Sequence, residues 1–395
     1  MLPQGDAPRL LAIIGLALAL SYAVFLTACI VEGYWLIDRH GHGIGNDFVH
    51  LWATGRLVLG GHPAAAYDPD LQRQAQAIAI GRPFEGDEYW PYPPTFMFAA
   101  ALIATIPYVP ASAAWIVATG AGYVAAIRCI LGGRLGLLFA CGFPGALWTI
   151  MAGQSGFLSA GLIAGTLGLM ERHPVFAGCC LGLLTYKPQF GLLFPLVLAV
   201  GGRWRVIIAA TLMALILVGA SWLAFGAGTW EAFVHSLTTV SQRTLSQGLS
   251  GWDSLQTIFA LVRALGGSER LAWVIQSASA LGIAVALCVL WRSRVPFDLK
   301  AGALSVGGLL ATPYLFFYDL VLLAVPTAFF LRFALTNGFR RSECVLLPIS
   351  GALILSYPLA PTQVGLAAIL IVAFLIGHRA MLCVRSGAAH SEQVG

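Results

Sequence analysis

The chain has few charged residues. Only 10% of its 395 residues are Asp, Glu, Lys or Arg, and 58% are hydrophobic, whereas about 25% of the residues in a soluble domain are charged. No soluble core could bury that much apolar surface, so lipid must cover it. The shortage of charge therefore predicts one all-α, multi-pass membrane domain, a transmembrane helical bundle over residues 1–395.

Several short motifs are also missing. The eight cysteines form no C-x-x-C pair and no histidines lie at ligand spacing, so neither a disulfide framework nor a metal site is expected. There is no Gly-rich phosphate loop, so no nucleotide cofactor is expected. The basic residues are spread thinly along the chain rather than in a stripe, which argues against a nucleic-acid partner.

The sequence contains many apolar runs that approach the length needed to cross a bilayer core of about 30 Å. We predict ten or more spans, and take the first as an uncleaved helix because it is long for a signal peptide. The predicted spans are Leu10–Val31, Ala111–Leu131, Leu135–Ala152, Ser155–Met170, Val206–Phe225, Leu271–Trp291, Ala301–Ala311, Tyr314–Leu331, Cys344–Tyr357 and Gln363–Leu382.

The distribution of basic residues predicts the orientation. Arg9 and the short connections that would share its side of the membrane hold 14 of the 22 basic residues, and short connections rich in basic residues face the cytoplasm. This places a first long loop (32–92) and a second long loop (226–270) outside a bacterial-type inner membrane. The assignment requires Thr95–Ile106, a short apolar piece between prolines, to enter the membrane and return on the outer side.

The first long loop carries its own helical pattern. Asn46 or Asp47 is placed to cap a helix that starts at Phe48, and a second short helix is predicted over Pro69–Ile80. Asp47 has two interpretations. It is either the capping carboxylate of that helix, or a general base at the membrane boundary, where partial loss of water makes a carboxylate a better base.

Lys187 is unusual because it interrupts the apolar stretch Val175–Val200 and is followed directly by Pro188. A lysine in mid-bilayer costs roughly 2.5–3.5 kcal/mol, so it needs a partner or water. The stretch is too short for two crossings, and we predict two half-helices that meet in a polar cavity. Lys187 either binds a phosphate there or extends its ammonium to the membrane surface.

Other polar and aromatic residues near predicted span ends could line the same site. Each also has an ordinary structural interpretation, as a turn, a cap or a packing residue. Asp319 stands out because it is an acid within an apolar stretch. These candidate substrate-binding residues are His50, Trp90, Tyr92, Gln154, Gln189, Trp252, Asp253, Tyr314, Tyr318 and Asp319.

Taken together, these motifs resemble glycosyltransferase family 87, whose members are membrane enzymes of the glycosyltransferase C superfold. The resemblance covers nearly the whole chain and is looser in the last third. It is carried, in order, by Asn46-Asp47-Phe48, the segment Gly60–Asp68, Tyr92-Pro93-Pro94, Gly153-Gln154, Ala177-Gly178 with Gly182, Lys187-Pro188, Trp252-Asp253-Ser254 and Thr312-Pro313-Tyr314.

The resemblance implies transfer of a sugar, often mannose, from a polyprenyl-phosphate donor to a lipid or glycan acceptor on the extracytoplasmic face. In that superfold an acid of the first outer loop is the usual base, and Asp47 matches its position. A common pattern has two adjacent acids there, whereas Asn46 precedes Asp47 in this chain. Inverting transfer also needs cations for the departing phosphate, for which we expect Lys187 first and Arg56 or Arg243 second.

Two other classes of protein remain open from the residues alone. A secondary transporter or lipid flippase would use Lys187 and Asp319 as coupling or substrate residues. A non-catalytic membrane scaffold is the third class, but it leaves the lysine in the apolar stretch without a purpose. The structured first long loop favours an enzyme.

Overall fold

The computed structural model describes residues 7–83, 89–360 and 362–392. Its architecture is all-α, as the sequence predicted, with short 3-10 and π-helical turns between the α-helices. In chain order the α-helices of the described part are α1 (Ala7–Val31), α2 (Phe48–Leu59), α3 (Pro69–Ile80), α4 (Met97–Ile103), α5 (Tyr108–Leu131), α6 (Gly133–Gly142), α7 (Pro144–Ala152), α8 (Gly156–Leu169), α9 (Pro174–Leu183), α10 (Phe194–Val200), α11 (Trp204–Phe225), α12 (Ala227–Ser241), α13 (Ile258–Ala264), α14 (Glu269–Arg292), α15 (Phe297–Ala311), α16 (Ala324–Asn337), α17 (Arg341–Leu355) and α18 (Val364–Glu392).

Six helical segments of the described part are long and apolar enough to cross a membrane. Most leave their apolar side chains uncovered by protein; in α11 only 11% of the most apolar window is buried. Such surface requires lipid, so the chain is an integral membrane protein. The six segments are Ala7–Val31, Tyr108–Leu131, Trp204–Phe225, Glu269–Arg292, Phe317–Asn337 and Val364–Arg385.

The prediction of ten or more full spans is not supported. A seventh span arises only if α6 and α7 are counted together, although they bend by 55° where Pro144 starts the second helix. Three further predicted spans form α8, α15 and α17, which have 14 or 15 residues. At 1.5 Å per residue these reach about 21–23 Å, short of the bilayer core. Hydropathy records apolar composition, but not where a helix ends.

The segment Phe317–Asn337 forms the centre of the bundle. In contrast to the outer helices, 83% of its most apolar window is buried. It opens as a 3-10 turn, Phe317–Leu323, and continues as α16. A polar residue at the start of this segment therefore has protein rather than lipid around it.

The first long loop folds into short helices. The two predicted helices are present as α2 and α3. α2 packs so closely on α4 that a Cβ atom on Gly55 would lie 2.0 Å from the Ala100 carbonyl oxygen. With its preceding 3-10 turn, α4 has about ten residues (~15 Å), too short to cross the membrane. That length agrees with the predicted re-entrant path of Thr95–Ile106.

The chain breaks at Lys187, as its proline predicted. α9 ends in a 3-10 turn at Tyr186, a second 3-10 turn covers Pro188–Phe190, and α10 follows. Gly178 and Gly182 hold α9 against α11, because added Cβ atoms would lie within 2.5–2.6 Å of α11 atoms. Small residues four positions apart allow this close approach. The glycines thus fix the position of the end of α9, and so of Lys187, relative to α11.

Candidate active site

A cavity of about 640 Å³ lies beside the chain break at Lys187. Its wall is built from the start of α2, the turn between α7 and α8, the Lys187 break, the second long loop and the turn that precedes α16. Ten of the fourteen residues selected from the sequence line it. They are Asp47, His50, Tyr92, Gln154, Lys187, Gln189, Arg243, Tyr314, Tyr318 and Asp319.

Asp47 is half-buried and stands at the N-cap position of α2, but it does not act as the cap. Among the described side chains at the start of α2, Asn46 accepts the Phe48 N–H through its Oδ1 atom, at 3.2 Å. The Asp47 carboxylate accepts no capping hydrogen bond from α2 and instead lines the cavity. The structure therefore disagrees with the capping interpretation and leaves the carboxylate on the cavity wall.

The Gly153-Gln154 turn packs directly on this helix start. Gly153 has φ +67°, and a Cβ atom there would lie 2.9 Å from the Cβ of Phe48. Asn46 Nδ2 donates to the Met151 carbonyl oxygen at 3.4 Å, which joins the two segments. Only glycine satisfies both the left-handed backbone and the close contact. The turn therefore sets the position of Asp47 relative to Gln154.

Gln154 is buried and oriented by Tyr92. The Tyr92 hydroxyl donates to Gln154 Oε1 at 3.1 Å, and the Ser155 N–H donates to the same oxygen at 3.0 Å. Burial raises the pKa of Tyr92, so its hydroxyl stays protonated as a donor at neutral pH. With the oxygen occupied, the Gln154 amide N–H groups are the part of this side chain suited to bind a hydroxyl in the cavity.

Lys187 is paired with Asp319. Its Nζ donates to Asp319 Oδ1 at 2.8 Å, and both side chains are almost fully buried. The ammonium also lies 5.2–5.9 Å from the ring centroids of Tyr92, Phe190 and Tyr318, where cation–π attraction helps to hold it. This geometry excludes one of the two alternatives for Lys187, because its ammonium does not extend to the membrane surface, and it identifies Asp319 as the partner that a buried lysine needs.

Asp319 is fixed by its place in the turn before α16. Its Oδ2 accepts the Phe316 N–H at 3.5 Å, and its own N–H donates to the Phe316 carbonyl oxygen at 2.9 Å. On the neighbouring turn, Thr312 Oγ1 accepts the Tyr314 N–H at 3.0 Å. The carboxylate that faces Lys187 is therefore held by backbone contacts.

Arg243 enters the cavity from the second long loop. It lies in a π-helical turn, Gln242–Ser246, with its guanidinium 5.9 Å from the Tyr89 ring centroid. Beside it, the hydroxyl groups of Tyr89 and Thr244 are 2.6 Å apart. Single π-helical turns are frequent at functional sites because they change the direction of side chains. Here the turn brings a cation and the two long loops together.

Four predicted residues lie outside the cavity lining. Arg56 is nine positions after Asp47 in the chain, which puts it about 13 Å along α2 and on the opposite face; there it packs over Trp52. Trp90 is buried behind the wall, against His50 and Tyr92. Trp252 packs under Arg263.

Asp253, the fourth of these residues, belongs to a turn. Its carbonyl oxygen accepts a hydrogen bond from Gln256 Nε2, and only the following residue, Ser254, reaches the cavity.

The sequence analysis missed an apolar wall on the second long loop. Its members recur at helical spacing along one face of α12, a signal that was present in the sequence but was not used. Val218 of the spanning helix α11 extends the same surface toward lipid. The wall consists of Val218, Trp230, Phe233, Leu237 and Val240.

Comparisons with known proteins agree with the earlier resemblance. A sequence model of glycosyltransferase family 87 matches residues 90–315, which include Lys187 and Arg243 but begin after Asp47. Neither the curated proteins nor the solved structures gave a match. Because the matched region is more than half of the chain, the protein belongs to glycosyltransferase family 87.

Proposed function

We propose that this glycosyltransferase moves a sugar, with mannose as the first candidate, from a polyprenyl-phosphate donor to a lipid or glycan acceptor at the extracytoplasmic face, with inversion. One observation carries the proposal: a single cavity combines a half-buried carboxylate, two cationic side chains and an apolar wall that reaches a spanning helix. A phosphate-linked lipid sugar needs all three features.

Asp47 is the proposed general base. The acceptor hydroxyl oxygen forms the new bond to the anomeric carbon, on the face opposite the phosphate. The bond from that carbon to the phosphate oxygen breaks, and polyprenyl phosphate leaves with the electron pair. The hydroxyl proton goes to the Asp47 carboxylate. Gln154, whose amide N–H groups are turned away from Tyr92, is suited to hold a sugar hydroxyl.

Lys187 and Arg243 are the proposed phosphate ligands. An ammonium has three N–H donors, and among the described residues Asp319 is the hydrogen-bond acceptor recorded for it. Because Asp319 offsets its charge, Lys187 acts mainly as a positioned hydrogen-bond donor. Arg243 contributes a second cationic group from the second long loop. Together they would stabilise the charge that develops on the leaving phosphate.

The apolar wall supports a lipid-linked donor rather than a free nucleotide sugar. Trp230, Phe233 and Leu237 present apolar surface to the cavity from α12, and Val218 continues it on α11. α11 leaves most of its apolar surface to lipid, so a prenyl chain could pass along this wall without crossing water. The proposed location of this cavity outside the cytoplasm rests on the basic residues of the short connections, which share the opposite side if α8, α15 and α17 complete their crossings with the turns that adjoin them.

The transporter alternative retains one supporting observation, the buried Lys187–Asp319 pair. Intramembrane ion pairs of this kind do occur in transport pathways. Membership of a glycosyltransferase family favours the enzyme, and the pair is equally suited to fix a phosphate ligand.

The test uses the purified full chain with a panel of radiolabelled polyprenyl-phosphate sugars and extracted membrane lipids. Nucleotide sugars form the matched donor panel. We expect labelled lipid or glycan product from at least one polyprenyl-phosphate sugar and none from the nucleotide sugars. Product from nucleotide sugars alone would contradict the donor assignment. Movement of unmodified donor across proteoliposomes without any transfer would instead support the flippase.

A further inference from the structure

The last turn of α7 lies between the two parts of the proposed active site. α7 ends at Ala152, and the turn that follows carries Gln154. On one side this region contacts the segment that carries Asp47, and on the other it packs against the 3-10 turn that carries Asp319. A residue in this turn can therefore control the distance between the proposed base and the ion pair of Lys187.

Thr149 makes the contact on the Asp319 side. Its side chain is buried, and its hydroxyl donates to the Tyr318 carbonyl oxygen at 2.6 Å. The next residue in the chain, Asp319, accepts the 2.8 Å hydrogen bond from Lys187. The Thr149 hydroxyl is thus one residue away from the group that holds the proposed phosphate ligand.

Two glycines bring the backbones of these segments into close contact. A Cβ atom on Gly145 would lie 2.5 Å from the Val321 backbone nitrogen, and one on Gly156 would lie 2.8 Å from the Tyr318 carbonyl oxygen. Small residues allow helical segments to approach this closely. Because densely packed segments transmit small displacements, a shift of this contact would also move Asp319.

The main chain of Thr149 connects it to the Asp47 side. Its carbonyl oxygen accepts the Gly153 N–H at 3.0 Å, which closes the end of α7. Gly153 in turn packs against Asn46 and Phe48, the two residues that flank Asp47. Thr149 is therefore connected to one part of the site through its side chain and to the other through its main chain.

We infer that Thr149 is a positioning residue for the transfer reaction: its hydrogen bond to Tyr318 sets the spacing between the Asp47 carboxylate and the Lys187 ammonium. The inference rests on the proposed function. In inverting transfer the acceptor hydroxyl and the departing phosphate lie on opposite faces of the anomeric carbon, so the groups that act on them must be held at a matched distance. A displacement of about 1 Å can slow a reaction by about 100-fold.

The experiment measures kcat and KM for Thr149→Val, Thr149→Ser and the control Thr166→Val, with the polyprenyl-phosphate sugar that the wild type uses. Valine has nearly the shape of threonine but lacks the hydroxyl, whereas serine keeps it. Thr166 of α8 is also buried, but its hydroxyl donates to the Leu162 carbonyl oxygen of its own helix, at 2.8 Å. Its replacement therefore removes a buried hydroxyl that does not join two segments.

We expect Thr149→Val to lower kcat by about 10- to 100-fold with little change in KM, because the groups that bind substrate remain present but are no longer correctly spaced. Thr149→Ser should retain most of the wild-type kcat, since the hydrogen bond to Tyr318 can still form. Thr166→Val should transfer sugar like the wild type. Melting temperatures above the assay temperature establish that each variant is folded.

Gly156→Ala tests the same contact without a change at Thr149. Its Cβ would lie 2.8 Å from the Tyr318 carbonyl oxygen and 2.9 Å from Thr149 Oγ1, so it should push the two groups apart. Gly168→Ala in the same helix is the control, because the nearest atom to its Cβ would be 3.9 Å away. We expect Gly156→Ala to lower kcat with little change in KM, and Gly168→Ala to behave like the wild type.

Wild-type kcat in Thr149→Val would overturn the inference, as would wild-type kcat in Gly156→Ala if Thr149→Val does not fold. A higher KM with unchanged kcat would also overturn it, since Thr149 would then act on substrate binding. An equal loss in Thr149→Ser or Thr166→Val would attribute the effect to packing or to general stability and would overturn it as well. Absence of transfer by the wild type would mean instead that the proposed function itself has failed.

Discussion

Replacement of Lys187 by methionine should destabilise the protein strongly. The two charges lie 2.8 Å apart, and at an effective dielectric constant of about 20 they attract by about 6 kcal/mol. The substitution removes that attraction and leaves the Asp319 carboxylate buried. Relaxation of the surrounding structure recovers part of this energy, and removal of one partner of a buried ion pair typically lowers the stability by about 3–5 kcal/mol. A lone intramembrane lysine would have given the opposite result, because its removal relieves a buried charge.

The assay is the apparent melting temperature of the purified protein in one detergent. The exposed pair of Arg39 and Glu32 provides a matched control, since its charges lie 2.7 Å apart but both side chains are more than half exposed. Exposed pairs contribute about 0–1 kcal/mol, so Arg39→Met should melt close to the wild type. The double variant Lys187→Met with Asp319→Asn, which removes both charges of this pair, should recover most of the lost stability.

The double variant also separates stability from function. It should fold but bind the donor more weakly, because the ammonium proposed to contact the phosphate is absent. If Lys187→Met melts like the wild type, or if the double variant is no more stable than the single one, the ion pair does not have the energetic role given to it here. If the double variant binds donor normally, Lys187 is not a phosphate ligand.

Two further predictions concern the apolar wall and the turn behind Asp47. Leu237→Asp should raise KM by about tenfold or more for a long-chain donor, since burial of an apolar side chain contributes about 1.5–3 kcal/mol. A short-chain donor should be unaffected, as should both donors with the adjacent exposed control Thr238→Asp; equal effects on the two donors would remove the wall from the lipid path. Gly153→Ala should lower both the melting temperature and kcat, because its Cβ would collide with Phe48. Gly202→Ala has nearly the same positive φ but open space around it, so similar losses in the two variants would attribute the effect to backbone strain alone.

Features that depend on neighbouring residues were predictable from the sequence. The starts of α2 and α3 follow from local capping and proline signals, and the break at Lys187 follows from Pro188. The convergence of Asp47 and Lys187 on one cavity was expected from their types and positions, and the structure places both on its wall.

Features that depend on distant contacts were not predictable. Asp319 lies 132 positions after Lys187, and no local pattern links the two. Asn46 rather than Asp47 accepts the N–H of Phe48, the first residue of α2, and the distant Gly153 turn packs against both Asn46 and Phe48. The short helices α8, α15 and α17 were predicted as full spans, because their apolar runs continue past the residues at which the helices end.

Arg56 shows a different kind of error. It was selected because it is a cation close to Asp47 in the sequence, but helical geometry puts it on the far face of α2. Arg243, from a loop about 200 positions away, reaches the cavity instead. Helical periodicity could have excluded Arg56 in advance, whereas the contribution of Arg243 required the fold.

The most direct test of the account is a comparison of Asp47→Asn with the wild type in single-turnover transfer from a labelled polyprenyl-phosphate sugar, with donor binding measured on the same samples. Loss of the base should lower the transfer rate by about 10²–10⁴-fold while the Asn variant still folds and binds donor. Transfer by the Asn variant at a rate near that of the wild type would contradict the account.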